Sequence, residues 1–418
     1  MSGKVCIKTN CCAVQRNETY RIAEFFRLNG WHETYNNEEA DVIVVTTCGV
    51  TEETEIDSFS IIEDAIKSSR ASAKIVVSGC LPNICIKKLR AKYPDAIYIP
   101  LDKMDLFDAL VEANVSISTV FYNAEPICHH SAGDPRLDDN RYDAEYSAAL
   151  KLGEMYGDNR FISAYNYATQ GRYLWKDDSI FEIKVSSGCA QKCSYCASRL
   201  GIGAYRSKTI TSILKEVDIA TTKGYTDIML MGDEIGAYGI DIGSSFLELV
   251  RSILKKNESI KIGIRYIHPD FLHACISELD EYFNRIFFMC ISIQSASKKV
   301  LRDMNREENI LDVEKDIIRI RGKYPDLYLH TQIIIGFPTE TTEDFEETLS
   351  FLKRCKFDYI RYNVFSPREG TEAYHMDRCY DTDELNSRKT IMKDYCRSNR
   401  KELLYDKYVR FIEENEKE

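Results

Sequence analysis

Two kinds of apolar segment are missing from this sequence. The first residues, MSGKVCIKTNCC, lack the apolar core of a signal peptide, and no apolar run is long enough to cross a bilayer. We therefore expect a cytoplasmic protein that has no membrane partner. In that reducing compartment, the 15 cysteines are expected to be metal ligands, catalytic thiols or buried small residues rather than disulfides.

The sequence also lacks an excess of basic residues. It has 55 Lys and Arg residues against 66 Asp and Glu residues, so its formal net charge is −11 at pH 7. Proteins that bind nucleic acids usually carry a basic surface. The charge balance therefore lowers the expectation of an RNA substrate, although a local basic patch would still permit one.

The pattern of the first 120 residues predicts a Rossmann-like α/β domain with a parallel sheet. The strand-like runs KVCIKT, ADVIVVTT, AKIVVSG and AIYIP alternate with helical segments near 18–29, 53–70 and 84–93. Short runs rich in valine and isoleucine are typical of parallel strands that are buried on both faces.

A cysteine follows each of the first three predicted strands. These cysteines are Cys12, Cys48 and Cys80. In an open parallel sheet, ligands bind beyond the carboxyl ends of the strands. Three thiols from separate strands are therefore expected to meet at one edge of the sheet, where they predict a metal site.

Residues 177–380 predict a partial (β/α)6 barrel. Six candidate strands lie at 181–187, 227–233, 261–267, 287–294, 329–337 and 359–366. Right-handed crossovers would curl such units into a barrel whose functional groups lie at the strand C-termini. Residues 121–176 are predicted to form a linker and an insertion, and residues 381–418 a helical segment.

The stretch CAQKCSYCAS places Cys189, Cys193 and Cys196 directly after the first barrel strand. Thiols this close either form a strained bridge, do nothing, or hold a metal. A zinc site normally needs four ligands, usually from two separated pairs, and no second pair follows. Cysteine thiolates are the usual ligands of iron–sulfur clusters, so the spacing predicts a [4Fe–4S] cluster with one iron left open.

This CxxxCxxC spacing, with Tyr195 before the last cysteine, resembles that of the radical S-adenosylmethionine superfamily. The resemblance implies that S-adenosylmethionine binds the open iron and that a one-electron reductant is a partner. It also implies that further residues near the strand ends contact the cofactor. Those candidate cofactor-binding residues are Tyr195, Gly232, Asp233, Glu234, Arg265, Ser292 and Gln294.

Over nearly its whole length, the chain is similar to the methylthiotransferase family of that superfamily. The matching segments are TNCCAVQ, ADVIVVTTCGVTEE, VVSGCLP, GYTDIMLMGDEIGAYG, SIQSASKKVLRDMNR, IIIGFPTETTEDF and FSPREGTEAY. The resemblance implies that Cys12, Cys48 and Cys80 hold a second, auxiliary [4Fe–4S] cluster carrying the sulfur to be inserted. It also implies that a methylthio group replaces hydrogen on an unactivated carbon.

Some positions depart from the family pattern. Cys11 stands where glycine is usual, so either Cys11 or Cys12 is the ligand, and we favour Cys12. Gln15 replaces a usual asparagine, and Asp233 replaces a usual glutamine. The distance from Cys80 to Cys189 exceeds the family pattern, which residues 121–160 would explain.

The expected substrate is a peptide or protein side chain, with transfer RNA as the alternative. The acidic balance supports this choice, as does the absence of the small C-terminal β-barrel that family members usually carry. A two-cluster radical enzyme without sulfur transfer is a second interpretation. An iron–sulfur carrier is a third, but it would need no S-adenosylmethionine site.

Overall fold

The computed structural model describes residues 3–120, 180–306 and 309–415, without the side chains of Ala13 and 400–415. The predicted linker and insertion at 121–176 therefore lie outside the described residues. In the described part, no helix is both long and apolar enough to span a membrane.

The first 120 residues form a five-stranded parallel sheet in the order β2-β1-β3-β4-β5. The strands are β1 Lys4–Thr9, β2 His32–Glu33, β3 Val42–Thr47, β4 Lys74–Gly79 and β5 Ile97–Pro100. The helices are α1 Ala13–Leu28, α2 Glu52–Lys67, α3 Leu81–Lys92 and the short α4 Leu106–Val111. All six residues of β3 are buried, which confirms the prediction of a parallel sheet covered on both faces.

Two features of this domain differ from the sequence prediction. The helix expected near 18–29 begins at Ala13, directly after Cys12, which gives no side-chain hydrogen bond to the helix start. Cysteine is not a usual N-cap residue, so no start signal marks this position. The two-residue strand β2 was not predicted, because it is too short to show any alternation.

The second part of the chain forms a six-stranded parallel sheet in sequential order from β6 to β13. Its strands are β6 Ile180–Lys184, β9 Asp227–Met231, β10 Lys261–Ile267, β11 Ile286–Gln294, β12 Tyr328–Ile335 and β13 Tyr359–Val364. A short antiparallel pair, β7 Ser186–Ser187 and β8 Arg206–Ser207, follows β6. Sequential order with crossover helices is the arrangement expected of a partial barrel.

The helices of this part pack on the outer face of the sheet. They are α5 Ser198–Ile202, α6 Ile210–Thr222, α7 Phe246–Leu254, α8 Pro269–Leu279, α9 Lys298–Asp303, α10 Ile310–Lys323, α11 Thr342–Cys355 and α12 Thr382–Asn415. A large buried core of aliphatic and aromatic side chains joins the strands to all of these helices except α5. The short helix α5 packs against α3 of the first domain. The last helix agrees with the helical segment predicted near the end of the sequence.

Helix α1 of the first sheet also packs against the second. Val14 belongs to the same buried cluster as Met229, Met231 and Cys290, and the Cys12 side chain packs against that cluster. The start of α1, where Cys12 lies, is thus held against the strands that carry the predicted cofactor site.

Candidate active site

The strand ends that carry Cys12, Cys48 and Cys80 lie next to one another in the first sheet. Strands β1, β3 and β4 are neighbours, and Cys48 and Cys80 follow the last residues of β3 and β4 directly. The Cys80 amide donates to the carbonyl of Thr47 at 2.9 Å. The Cys48 amide donates to Asn10 Oδ1 at 3.0 Å and to Ser58 Oγ at 3.1 Å. The ends of three strands are therefore tied to one another around the thiols.

These thiols share one electrostatic environment. The pKa of Cys12 is raised to about 11, mainly by burial, then by the charge of Cys48 and to a smaller extent by that of Asp233. Burial also raises the pKa of the Cys80 thiol, and Cys48, Cys12, Cys11 and Asp233 add to that effect. Asp233 lies just beyond the end of barrel strand β9, and its charge acts on Cys12 and Cys80, so these two thiols lie near the end of that strand.

Cys11 lies in the same group. Its amide donates to Thr9 Oγ1 at 3.1 Å, and burial followed by the charges of Cys48 and Cys12 raises the pKa of its thiol. Cys12 differs in two respects: it is influenced by Asp233 and packs against the barrel cluster. The assignment of Cys12 as the ligand therefore stays a prediction, and these contacts favour it.

The barrel cysteines lie on one loop that is fixed at its centre. The Ser194 amide donates to the carbonyl of Met304 at 2.9 Å, and Ser194 Oγ donates to the carbonyl of Asp303 at 2.8 Å. Within the loop, the Cys196 amide donates to the carbonyl of Cys193 at 3.2 Å. The turn is thus closed on itself and attached to the end of α9.

The three loop thiols also influence one another. Burial raises the pKa of the Cys189 thiol; the Gln191 amide opposes this, and Glu234, Cys196 and Cys193 add to it. Burial is also the main reason why the pKa of the Cys196 thiol is raised. Deprotonating such buried thiols requires a cation, which a cluster iron supplies.

The cofactor segment predicted after β9 is held closely by its neighbours. A Cβ atom at Gly232 would come within 2.7 Å of Ser186 Oγ and 3.1 Å of an Ile235 side-chain carbon, so a larger residue would have to displace these neighbours. Asp233 accepts from the Gly188 amide at 2.9 Å and from Gln15 Nε2 at 3.3 Å. The carboxyl of Asp233 thus accepts hydrogen bonds from both the barrel and the first domain.

Glu234 is buried beside the same segment. Its Oε1 accepts from the Gly236 amide at 2.8 Å and from the His268 amide at 3.2 Å. Burial raises the pKa of Glu234 to about 7, and the two backbone amides limit the rise. The backbone of Tyr266, which has a left-handed φ of 64°, accepts from the Ile235 amide at 3.0 Å. The ends of β9 and β10 are therefore joined at this site.

The remaining predicted cofactor residues lie at the same end of the barrel. The buried Arg265 guanidinium lies 5.1 Å from the centre of the Tyr266 ring. Gln294 is buried and has a φ of 70°, an uncommon conformation that places the end of β11 under strain. Tyr195 packs on a buried cluster that includes Phe337. Ser292 is partly buried on β11.

Arg306 is a site residue that the sequence interpretation did not single out. Its Nη2 donates to the Ser292 carbonyl at 2.6 Å, and its Nη1 lies 3.9 Å from Cys193 Sγ. It thus joins the cysteine loop to the end of β11. The signal was available, because Arg306 ends the family-like segment SIQSASKKVLRDMNR.

The donor sets fit two iron–sulfur clusters better than single ions. Among residues 3–120, 180–306 and 309–415, no three His, Cys, Asp or Glu side chains converge closely enough for a single metal ion. The ligands of a cluster bind separate irons and so stand further apart than the ligands of one ion. Two groups of buried or half-buried thiols, each mutually coupled, have the chemistry that such clusters require.

Two family models match the chain. The radical SAM superfamily matches residues 183–352, and the uncharacterized protein family UPF0004 matches residues 4–99. The first match spans the cysteine loop and the strand-end segments around it, and it supports the radical S-adenosylmethionine class of enzyme.

Curated relatives match both parts of the chain together. The chain is 28% identical over 377 residues to a probable threonylcarbamoyladenosine tRNA methylthiotransferase of Archaeoglobus fulgidus, covering 88% of this chain and 78% of the relative. It is 27% identical over 390 residues to the ribosomal protein uS12 methylthiotransferase RimO of a Thermotoga species, covering 92% and 81%. It is 28% identical over 385 residues to a tRNA-2-methylthio-N(6)-dimethylallyladenosine synthase of Aquifex aeolicus, covering 90% and 79%. The two family matches and these relatives together support the radical S-adenosylmethionine methylthiotransferase family, whose cofactors are S-adenosylmethionine and two [4Fe–4S] clusters.

Solved structures support the fold alone. The radical S-adenosylmethionine methyltransferase TsrM of Kitasatospora setae matches with a TM-score of 0.53 at 12% identity, covering 87% of this chain and 72% of that one. The cobalamin-dependent radical enzyme OxsB matches with a TM-score of 0.52 at 12% identity, covering 94% and 56%. Both are radical S-adenosylmethionine enzymes, which agrees with the predicted α/β architecture.

Proposed function

We propose that this enzyme replaces a hydrogen on an unactivated carbon by a methylthio group. The observation that carries the proposal is the position of the strand-end thiols. Cys12 and Cys80 lie within the electrostatic influence of Asp233, which belongs to the predicted cofactor segment of the barrel. A sulfur source beside the radical site makes sulfur transfer effectively intramolecular.

The bound cofactors supply the chemistry, and the protein supplies position. When bound, S-adenosylmethionine and the two clusters provide a 5′-deoxyadenosyl radical, a sulfur atom and a methyl group. The hydrogen that leaves the substrate ends in 5′-deoxyadenosine, and the substrate gains CH2S in total. One S-adenosylmethionine yields methionine and 5′-deoxyadenosine, and a second yields S-adenosylhomocysteine. The electrons come from a one-electron reductant.

We propose cysteine ligands from both parts of the chain. Cys189, Cys193 and Cys196 would hold the cluster that binds S-adenosylmethionine. Cys12, Cys48 and Cys80 would hold the auxiliary cluster. Support comes from the two groups of thiols at the strand ends, each with mutual electrostatic coupling.

The cofactor contacts are proposed from the chemistry of the strand ends. Gly232 leaves room for the methionyl part, and the carboxylates of Asp233 and Glu234 would accept from its ammonium group. Arg265 would pair with the carboxylate, because a guanidinium forms two parallel hydrogen bonds to such a group. Tyr195, Ser292 and Gln294 would complete the contacts; Tyr195 is on the cysteine loop and the other two are at the end of β11.

The proposed substrate is a peptide or protein side chain. A chain with a net charge of −11 repels the phosphate backbone unless a basic patch offsets the repulsion. One relative is named for ribosomal protein uS12, which shows that protein substrates occur among similar enzymes. Transfer RNA is the second candidate, because two other relatives are named for transfer-RNA nucleosides.

The test is mass spectrometry of substrates after an anaerobic reaction. The protein is reconstituted with iron and sulfide, reduced, and given S-adenosylmethionine with a peptide set or with transfer RNA. A gain of CH2S on a peptide is the expected result. The same gain on transfer RNA alone would overturn the choice of substrate and leave the reaction standing. Formation of 5′-deoxyadenosine, with loss of hydrogen and no gain of sulfur, would instead indicate an oxidation.

A further inference from the structure

One carboxyl group contacts both cysteine-bearing segments of the protein. Asp233 Oδ2 accepts from the Gly188 amide at 2.9 Å, and Gly188 directly precedes Cys189. Asp233 Oδ1 accepts from Gln15 Nε2 at 3.3 Å, and Gln15 lies three residues after Cys12 in the first turn of α1. The carboxyl is rigid and planar, so these two bonds hold the two segments at a set separation.

Two ion pairs near Asp233 also join the first domain to the barrel. Glu18 of α1 pairs with Lys184 of β6 at 2.7 Å, and both side chains are almost fully buried. Arg16 of α1 pairs with Glu182 of β6 at 3.4 Å. Helix α1 is thus joined to the first barrel strand by two buried ion pairs. Asp233 is the member of the group that also reaches the loop of Cys189.

We infer that Asp233 is a positioning residue that sets the separation of the two cluster sites. This inference rests on the proposed function, because sulfur transfer is the reaction that requires the sulfur to lie close to the substrate carbon. It does not need the carboxylate charge, because both contacts are hydrogen bonds accepted from neutral donors. An ammonium group of the cofactor can still bind, because a carboxylate has further lone pairs.

The lengths of the two side chains can be exchanged without changing their sum. Gln15 has two side-chain methylenes and Asp233 has one. The double variant Q15N/D233Q has one and two, so the summed length is the same. It therefore tests whether the length of the contact, rather than the identity of each residue, matters.

The structure suggests variants that separate position from charge. Gln15 Oε1 is buried and has no hydrogen-bond partner among the described residues. In D233N, the new amide can accept from the Gly188 amide and donate to Gln15 Oε1 once the Gln15 amide flips. Both links then survive without the charge. D233A and Q15A lose the link to α1, and the double variant Q15N/D233Q restores the summed length.

The matched control is S366A. Ser366 Oγ accepts from the Glu52 amide at 2.9 Å, so this change also removes a hydrogen bond between the two sheets. It does not touch either cysteine segment that Asp233 joins. Iron content is measured for every variant, so that loss of a cluster is not mistaken for a change in separation.

Three readouts test the inference. The first is the magnetic coupling between the two reduced clusters, measured by electron paramagnetic resonance without substrate. The second is hydrogen exchange of the Gly188 amide in the cluster-free protein. The third is the ratio of methylthiolated product to 5′-deoxyadenosine. We expect D233A to weaken the coupling, to speed Gly188 exchange and to lower the product ratio about tenfold or more.

D233N and Q15N/D233Q are expected to match the unchanged protein in the magnetic coupling and in the exchange of the Gly188 amide, the two readouts that do not depend on binding of S-adenosylmethionine. S366A is expected to match it in all three readouts. If D233N is as impaired as D233A in the coupling and exchange readouts, the charge sets the separation and the inference is wrong. If D233A leaves the magnetic coupling unchanged, the inference is also wrong. The first two readouts do not need product, so a failure of the proposed sulfur transfer would affect only the third.

Discussion

The two thiol groups of this protein are built in different ways. Cys189, Cys193 and Cys196 lie within eight residues of one loop. Cys12, Cys48 and Cys80 follow three separate strands, and only the formation of the β1-β3-β4 sheet brings them together. The loop group therefore depends mainly on local sequence, whereas the strand-end group depends on the fold of the first domain.

This difference decides how each site fails. A change to the loop should remove one site and leave the rest of the protein intact. A change to the packing of the first sheet should remove the other site together with the stability of its domain. Variants at each site should therefore fail in different ways.

The largest effect is expected for C193S. The loop loses the buried thiol that we propose as a cluster ligand, whose Sγ lies 3.9 Å from Arg306 Nη1. S-adenosylmethionine cleavage should therefore fall to background. About half of the bound iron should remain, because one of two equal clusters is kept. Iron analysis and 5′-deoxyadenosine assays measure both. The control is C379S, which changes an exposed cysteine; a loss of all iron in C193S would show that the sites are not independent.

The next effect is expected for G79A, at the end of β4. Gly79 has a φ of 97°, and a Cβ atom there would lie 2.3 Å from the Thr47 carbonyl oxygen. We expect a loss of about 4 kcal/mol of unfolding free energy, from backbone strain and from separation of the strands that carry Cys48 and Cys80. Denaturant unfolding measures the loss, and iron analysis should show that the loop cluster remains.

Gly322 offers the matched glycine control. It lies in α10, and a Cβ atom there would meet nothing within 4 Å. G322A should therefore be neutral or stabilising by up to about 1 kcal/mol. If G79A and G322A lowered the unfolding free energy equally, the backbone conformation at the end of β4 would have no special importance for stability.

A smaller and more selective effect distinguishes Cys11 from Cys12. If Cys12 is the ligand, C12A should lower the iron content and abolish methylthiolation while 5′-deoxyadenosine still forms. C11A should keep the iron and most of the product, because its thiol sits beside Thr9 and Thr46 rather than Asp233. The opposite result for the two variants would reverse the ligand assignment.

The smallest effect is a change in acid stability, and it distinguishes two helix capping boxes, one at the start of α11 in the barrel and one at the start of α2 in the first domain. In the barrel, Asp344 caps α11 and binds Ser297 and Lys299. Burial alone would raise the pKa of Asp344, but these hydrogen bonds outweigh burial and lower it to about 2. Because the folded pKa lies below the ordinary value, the stabilisation is present above about pH 4. It is lost as the pH falls towards 2.

The first sheet has a capping box without a titrating group, formed by Thr51 and Thr54 at the start of α2. D344A should cost about 2 kcal/mol at pH 7 and progressively less below pH 4. T51A should cost about 1 kcal/mol at every pH. Unfolding of both variants at pH 7 and pH 3.5 makes the comparison, and a pH-independent effect of D344A would contradict the assigned pKa.

Much of this arrangement could be predicted from the sequence because it depends on local pattern. The valine- and isoleucine-rich strands, the cysteines that follow them and the spacing in CAQKCSYCAS all lie in short segments. The early start of α1 was missed, because Cys12 gives no capping signal. The bond from Gln15 to Asp233 was also missed, because it joins residues 218 positions apart. Periodicity carries no information about such a contact. The left-handed backbone of Gln294 depends on the bulge between β11 and β12 and is likewise invisible in the pattern.

The order of the strand-end thiols along the chain has a consequence for biogenesis. Cys12, Cys48 and Cys80, with all five strands of their sheet, precede residue 101, whereas Asp233 is synthesised more than a hundred residues later. At ordinary translation rates, that interval is on the order of ten seconds. The first domain therefore has time to fold on the ribosome with its thiols gathered and its α1 face uncovered. Assembly factors that deliver iron and sulfide would meet an open site at that stage, before the barrel strands close over it.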